Sequence, residues 1–155
     1  MRFALRIATF AALGLLFAGA AAAQNYTATM DGLQETPPNI SPASGDALLT
    51  LDVAKMLHIH MEYSGLLAPI TASHVHCCQP PGVAAPVKYG IGALPSPVDV
   101  TVGPLLAADE ANLNAGLMYL NIHTSLFPGG EIRGQIVGPV AVTLSPWSVV
   151  KSLYK

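Results

Sequence analysis

The clearest indication of the fold is the segment LMYLNIHTSLFPGGEIRGQIV, residues 117–137. Residues 117–124 and 131–137 alternate apolar and polar side chains, the period of a β-strand that turns one face to a core. The connecting letters SLFPGG are the residue types that tight turns require. The stretch therefore predicts an antiparallel hairpin.

The same period recurs upstream, and helical periodicity is nearly absent. Two long loops rich in proline and glycine interrupt it, residues 33–45 and 79–97, where the prolines prevent regular strand pairing. One helical turn is expected at residues 105–114. Seven or so short strands joined by such loops predict an all-β fold, an antiparallel β-sandwich or barrel-like sandwich. The further predicted strands are residues 26–30, 46–53, 56–63, 70–76 and 98–102.

The two ends of the chain predict processing and location. Arg2 and Arg6 precede an apolar run that ends in small residues, the pattern of a secretory signal peptide. The run is shorter than the roughly 20 residues a membrane span needs. We therefore expect residues 1–23 to be removed and the mature protein to be secreted or periplasmic, with no membrane span. Residues 24–137 would form one domain, and residues 138–155 an extension with an edge strand and a loosely attached tail.

Charge and motifs narrow the function classes. The net charge is −2, and the expected leader carries two of the seven basic residues and none of the nine acidic ones. This acidic balance argues against nucleic acid and anionic membranes as partners. No nucleophile elbow and no supported pair of acids is present. A binding or structural module is therefore favoured over an enzyme, with an unknown protein or a component of the cell envelope as its partner.

Three histidines have the spacing of a metal site. His74 and His76 lie two residues apart on one predicted strand, so their bases are roughly 6.5–7 Å apart and both rings can reach one ion. His123, on a later strand, is the candidate third ligand. Strand alternation predicts that all the histidines face outward. Imidazole suits copper and zinc, whereas the alternative is that the rings hydrogen-bond to loop carbonyl groups and hold the loop at 77–97 over the sheet.

The cysteines and the other histidine pair allow further interpretations. Cys77 and Cys78 are the only cysteines, so in an oxidising compartment they can bond to each other as a vicinal disulfide, which we favour. As thiolates they would instead be secondary metal ligands, and a link to another chain is the third alternative. His58 and His60 form a second H-x-H beside Glu62 and are interpreted as a solvated strand face.

A polar group on the predicted hairpin has a structural interpretation. Glu131 and Arg133 share a strand face, and Asn121 faces them across the turn. We interpret the three as a salt bridge and hydrogen-bond network that fixes the register of the hairpin.

Three segments resemble the CHRD domain, the chordin-type module found in many exported bacterial proteins. They are GLQETPP (32–38), TASHVH (71–76) and YLNIHTSLFPGGEIRGQI (119–136). The resemblance spans residues 26–137 and implies a β-sandwich. Its H-x-H and N-x-H-T motifs map onto His74, His76, Asn121, His123 and Thr124. The molecular activity of this family is poorly defined, so the resemblance implies a fold and a motif more than a function.

The H-x-H strand and the later histidine are also similar, more distantly, to the copper-binding arrangement of copper/zinc superoxide dismutases. The fold implied is a sandwich of Greek-key or superoxide-dismutase-like type. No fourth copper ligand and no zinc-loop pattern accompanies the histidines, and Cys77–Cys78 stands where a glycine often follows the H-x-H of CHRD domains. We therefore rank a copper- or zinc-binding module first, a metal-free interaction or structural domain second, and a redox enzyme third.

Overall fold

The computed structural model describes residues 23–138 as one antiparallel sheet of eight strands. The sheet follows the order β5-β4-β7-β8-β1-β2-β3-β6 and nearly closes into a barrel-like sandwich. One short helix, α1 (Ala107–Asn114), precedes β7, and a 3₁₀ turn at Gly32–Gln34 follows β1. The strands are β1 (Gln24–Asp31), β2 (Ser44–Leu51), β3 (Leu57–Ser64), β4 (Ile70–Cys77), β5 (Val87–Gly90), β6 (Val98–Val102), β7 (Met118–Thr124) and β8 (Ile132–Gln135).

The prediction of an all-β antiparallel sandwich is confirmed, and so is the hairpin at residues 117–137, which forms β7 and β8. The strand β5 was missed, because four residues beside a proline are too short to show a period and are held by pairing with β4. No helix among the described residues is long and apolar enough to cross a membrane. The expected leader and C-terminal extension, apart from their boundary residues, lie outside the described part.

One half of the sheet has the alternation that the sequence predicts. Strands β1, β2 and β3 each turn every second residue into the core, because a strand places successive side chains on opposite faces. Their fully buried side chains include Tyr26, Met30, Leu49, Leu51, Leu57, Ile59 and Met61. The opposite face carries His58 and His60 in exposed positions, so the interpretation of this pair as part of a solvated face is confirmed.

The other half is buried on both faces. Six of the seven residues of β7 are buried, because loops cover the face opposite the core. Asn39 Nδ2 donates to Glu131 O at 3.0 Å, and Gln79 N donates to Leu117 O at 3.0 Å. His76 lies on the face opposite the core, as strand alternation predicts, but the covering loops leave it only 7% exposed. The long loops thus cover the polar face of this half.

Candidate metal centre

His74, His76 and His123 converge on the covered face of β4 and β7. In the register of these strands, His74 lies opposite Asn121 and His76 opposite Tyr119, which places the five polar side chains on one face. One nitrogen from each of the three histidines lies within 4.8 Å of the other two. Within residues 23–138, no other set of three histidine, cysteine or acidic residues is so arranged. The predicted third ligand is thus where the sequence pattern placed it.

Loop carbonyl groups fix the protons of two of the rings. His76 Nδ1 lies 2.8 Å from Ala85 O, and His123 Nδ1 lies 2.9 Å from Pro128 O. A carbonyl oxygen only accepts, so Nδ1 carries the proton in both rings, and Nε2 of each neutral ring keeps its lone pair. Hydrogen bonds of this kind orient the imidazole ligands in known metal sites.

The His74 ring contacts the His123 ring directly. His74 Nδ1 lies 3.1 Å from His123 Nε2. Burial lowers the pKa of His74, and the neighbouring His123 and His76 lower it further. Burial also lowers the pKa of His76, and this effect outweighs the opposing hydrogen bond to Ala85. The rings of His74 and His76 are therefore held in the neutral form, which is the form that binds metal ions.

Tyr119 separates the histidines from a buried arginine. The His76 and Tyr119 rings stack with centroids 4.7 Å apart and planes 7° apart. Arg133, on the neighbouring strand β8, places its Cζ 3.5 Å from the centre of the Tyr119 ring, a cation–π contact. Ala85 N also donates to the Tyr119 hydroxyl at 3.0 Å. Tyr119 thus fixes both the plane of His76 and the loop that covers it.

Glu35 enters the same layer from the loop after the 3₁₀ turn and is 5% exposed. Burial raises its pKa from 4.5 to about 7, and the Thr36 N–H, the Arg133 guanidinium and the Asn121 amide offset only part of this rise. Gly130, with φ +130°, makes room for the carboxyl group, since a Cβ there would overlap it. A buried carboxyl group therefore lies beside Asn121.

The family model of the CHRD domain matches residues 26–136, more than half of the chain. The chain belongs to the CHRD domain family. No solved structure matches it significantly. The histidine group therefore lies within the matched region of this CHRD domain, and the resemblance predicted from its three segments is confirmed.

The cysteines of this CHRD domain lie apart from the three ligand nitrogens. Cys77 follows His76 and therefore faces the opposite side of β4, where it is 4% exposed within the hydrophobic core. The sulfur atoms of Cys77 and Cys78 are in contact with each other. The group of ligand atoms that lie within 4.8 Å of one another contains neither sulfur.

The second H-x-H pair is engaged by acceptors on the solvated face. His58 contacts Asp52 Oδ2 at 3.0 Å through Nε2. His60 Nδ1 lies 2.7 Å from Asp99 Oδ1, and this contact raises the pKa of His60. Because a raised pKa favours the protonated ring, this environment disfavours metal binding, in contrast to that of the buried histidines.

Glu131 and Arg133 do not form the salt bridge that the sequence pattern predicts. Glu131 is fully buried and accepts hydrogen bonds from Thr124 Oγ1, Ser41 Oγ and Leu67 N at 2.7–2.8 Å. No ion pair joins it to Arg133 within residues 23–138, because Glu131 precedes β8 and meets the loops. Glu35 was missed as well. Its available signal was a single carboxyl group in the proline-rich segment GLQETPP, which also carried the family resemblance.

Proposed function

We propose that this CHRD domain is an exported, non-enzymatic binding module that holds one copper or zinc ion through His74, His76 and His123. The observation that carries the proposal is the convergence of three imidazole nitrogens within 4.8 Å on a face shielded from solvent by loops. Two of the rings are locked by loop carbonyl groups so that Nε2 is the atom left for an ion.

The spacing of the nitrogens is compatible with one ion. Zinc–nitrogen bonds of 2.0–2.1 Å in a tetrahedral site place the nitrogens about 3.4 Å apart. His74 Nδ1 and His123 Nε2 are already at 3.1 Å, and an ion would replace the proton that His74 Nδ1 donates to His123 Nε2. The remaining pairs must close from at most 4.8 Å, a change of at most about 1.4 Å that side-chain rotation provides.

We also propose that Cys77 and Cys78 form a disulfide bond in the exported protein. The contact between their sulfur atoms supports this pairing, and an oxidising compartment permits it. A disulfide removes both thiolates from the set of ligands. The centre would then be built from imidazoles alone, which suit both copper and zinc.

The test is metal binding by the mature chain without a polyhistidine tag. Zinc or copper(II) at about 100 times its dissociation constant stabilises the native state by about 2.7 kcal/mol, measured as a higher melting temperature. The variant with His74, His76 and His123 all changed to alanine should lose binding. The matched control, His58→Ala with His60→Ala, should keep it. Equal binding by both variants, or no binding by the wild type, would refute the proposal.

A second candidate is a metal-free domain that binds a protein or a component of the cell envelope. It is favoured by the hydrogen bonds from His76 to Ala85 and from His123 to Pro128, which hold the loops without any ion. Exposed apolar side chains lie on the loop between β1 and β2, at Leu33 and Ile40, and on the loop between β7 and β8, at Leu126. Capture of a partner that is unchanged by a chelator would favour this function, and dependence on added copper would count against it.

A further inference from the structure

Three buried polar atoms have no hydrogen-bond partner in the described part of the chain: Glu35 Oε1, His76 Nε2 and Asn121 Oδ1. Their residues are at most 7% exposed. Unpaired buried atoms are rare in native proteins, and the usual explanation is a water molecule or an ion. All three occur in the covered layer of the candidate metal centre, so one explanation can account for them together.

The three atoms need different partners, and these needs indicate which ligand can lie between them. His76 Nε2 offers a lone pair to an ion, whereas Asn121 Oδ1 and Glu35 Oε1 are acceptors that need donors. A water molecule bound to a metal gives its lone pair to the ion and keeps two O–H groups to donate. The ion and one such water therefore satisfy the three atoms at once.

Asn121 occupies the position that this water requires. It lies opposite His74 on the neighbouring strand, two residues from His123. In the sheet it lies between His74 on β4 and Arg133 on β8. Glu35 lines the same crevice as Arg133, so Asn121 stands between the histidines and the carboxyl group. The disulfide candidate Cys77 faces the other side of β4 and cannot fill this direction.

The surroundings favour an anion as the ligand that exchanges with the water. Arg133 is 1% exposed and forms no ion pair within residues 23–138, although a buried charge is strongly stabilised by an opposite charge. A crevice of about 210 Å³ opens to solvent between the two covering loops. Arg133 and Glu35 both line it. A small anion can therefore reach Arg133 and Glu35, at the edge of the layer, without displacing the fold.

We infer that the metal centre has an open fourth position, occupied by a water held by Asn121 and Glu35 and exchangeable for a small monodentate anion. This inference rests on the proposed function and specifies its coordination. Three protein ligands with one exchangeable water distinguish a ligand-binding centre from a closed structural one. The proposal concerns ligand exchange alone and requires no redox step.

The experiment titrates the copper(II)-loaded mature protein with azide and follows the charge-transfer absorption that an azide–copper bond produces. One azide is expected to bind per copper. Glu35→Gln replaces one carboxyl oxygen by an NH2 group, which cannot accept a hydrogen bond from the water, so azide should bind about ten-fold more tightly. Arg133→Gln should have the opposite effect, and Glu62→Gln, on the exposed face of β3, should change nothing.

The outcomes separate the inference from the function on which it rests. Stoichiometric copper with a spectrum unmoved by azide would overturn the open position and leave metal binding intact. An azide affinity that is the same in Glu35→Gln and in the wild type would overturn the role of the carboxyl group. Absence of bound copper would overturn both proposals. Should Arg133→Gln fail to fold, Glu35→Gln, which is nearly isosteric, still decides the result.

Discussion

The buried carboxyl group of Glu35 should make the stability of the protein depend on pH in a direction opposite to that of most acidic residues. Its pKa is raised from 4.5 to about 7 in the folded chain. The native state therefore binds the proton more tightly than the unfolded state does. The resulting stability is fully present below pH 4.5 and is lost as the pH rises through 7.

The size of the effect follows from the shift. A difference of about 2.5 pKa units at about 1.4 kcal/mol each amounts to about 3 kcal/mol. Glu35→Gln keeps the shape of the side chain and removes its titration. The free energy of unfolding of the variant minus that of the wild type should therefore rise by about 3 kcal/mol between pH 4.5 and pH 8.

Urea unfolding followed by far-UV circular dichroism measures this difference at each pH, with a chelator present so that no ion contributes. Val53→Ala is the control, because Val53 is 66% exposed and the change alters no titratable group, so this variant should differ from the wild type by the same amount at every pH. A difference for Glu35→Gln that does not change with pH would refute the assignment of a buried, protonated carboxyl group. A difference that falls as the pH rises would show the reverse sign.

Three further changes have distinct expected outcomes. Tyr119→Ala removes the ring between a stacked imidazole and a guanidinium and should cost about 3–5 kcal/mol in urea unfolding, whereas Tyr119→Phe should cost about 1 kcal/mol; equal losses would contradict the stacking role. Gly134→Ala places a Cβ 2.6 Å from a backbone oxygen and should destabilise by about 2 kcal/mol or more, while Gly129→Ala meets nothing within 4 Å and should be nearly neutral. Asp99→Asn should lower the pKa of His60 in an NMR titration, because the carboxylate of Asp99 raises it; an unchanged midpoint would contradict this contact.

The two H-x-H pairs show how far a sequence pattern reaches. Strand alternation correctly places His58 with His60 on one face and His74 with His76 on another. It does not distinguish them, because the difference lies in what covers each face. The first pair meets solvent and acidic partners, while the second lies under a loop whose Ala85 carbonyl accepts from the ring. The placement of a loop depends on contacts between residues that are distant in sequence, and the alternation of apolar and polar residues along a strand does not indicate it.

The place of the candidate third ligand could be predicted, whereas the surrounding layer could not. His123 lies on a strand whose alternation and turn were readable, and the pairing of that strand with β4 brings it to the other histidines. Glu35 reaches the layer from an irregular loop, so no period places it. Arg133 was placed on the correct face but assigned to Glu131, since the sequence suggests a local ion pair and the fold turns that glutamate toward Ser41 and the turn.

The energetics of the covered layer link its burial to its proposed role. Each unpaired buried polar atom costs about 1–3 kcal/mol, so the three atoms of Glu35, His76 and Asn121 together cost several kcal/mol of a total stability of about 5–15 kcal/mol. Apolar side chains at these positions would avoid the cost. An ion with a bound water would remove this cost, because each of the three atoms would then gain a partner that only the native state provides. The metal-free protein should therefore be less stable than the burial of its apolar side chains alone would make it. Metal binding should stabilise this layer first.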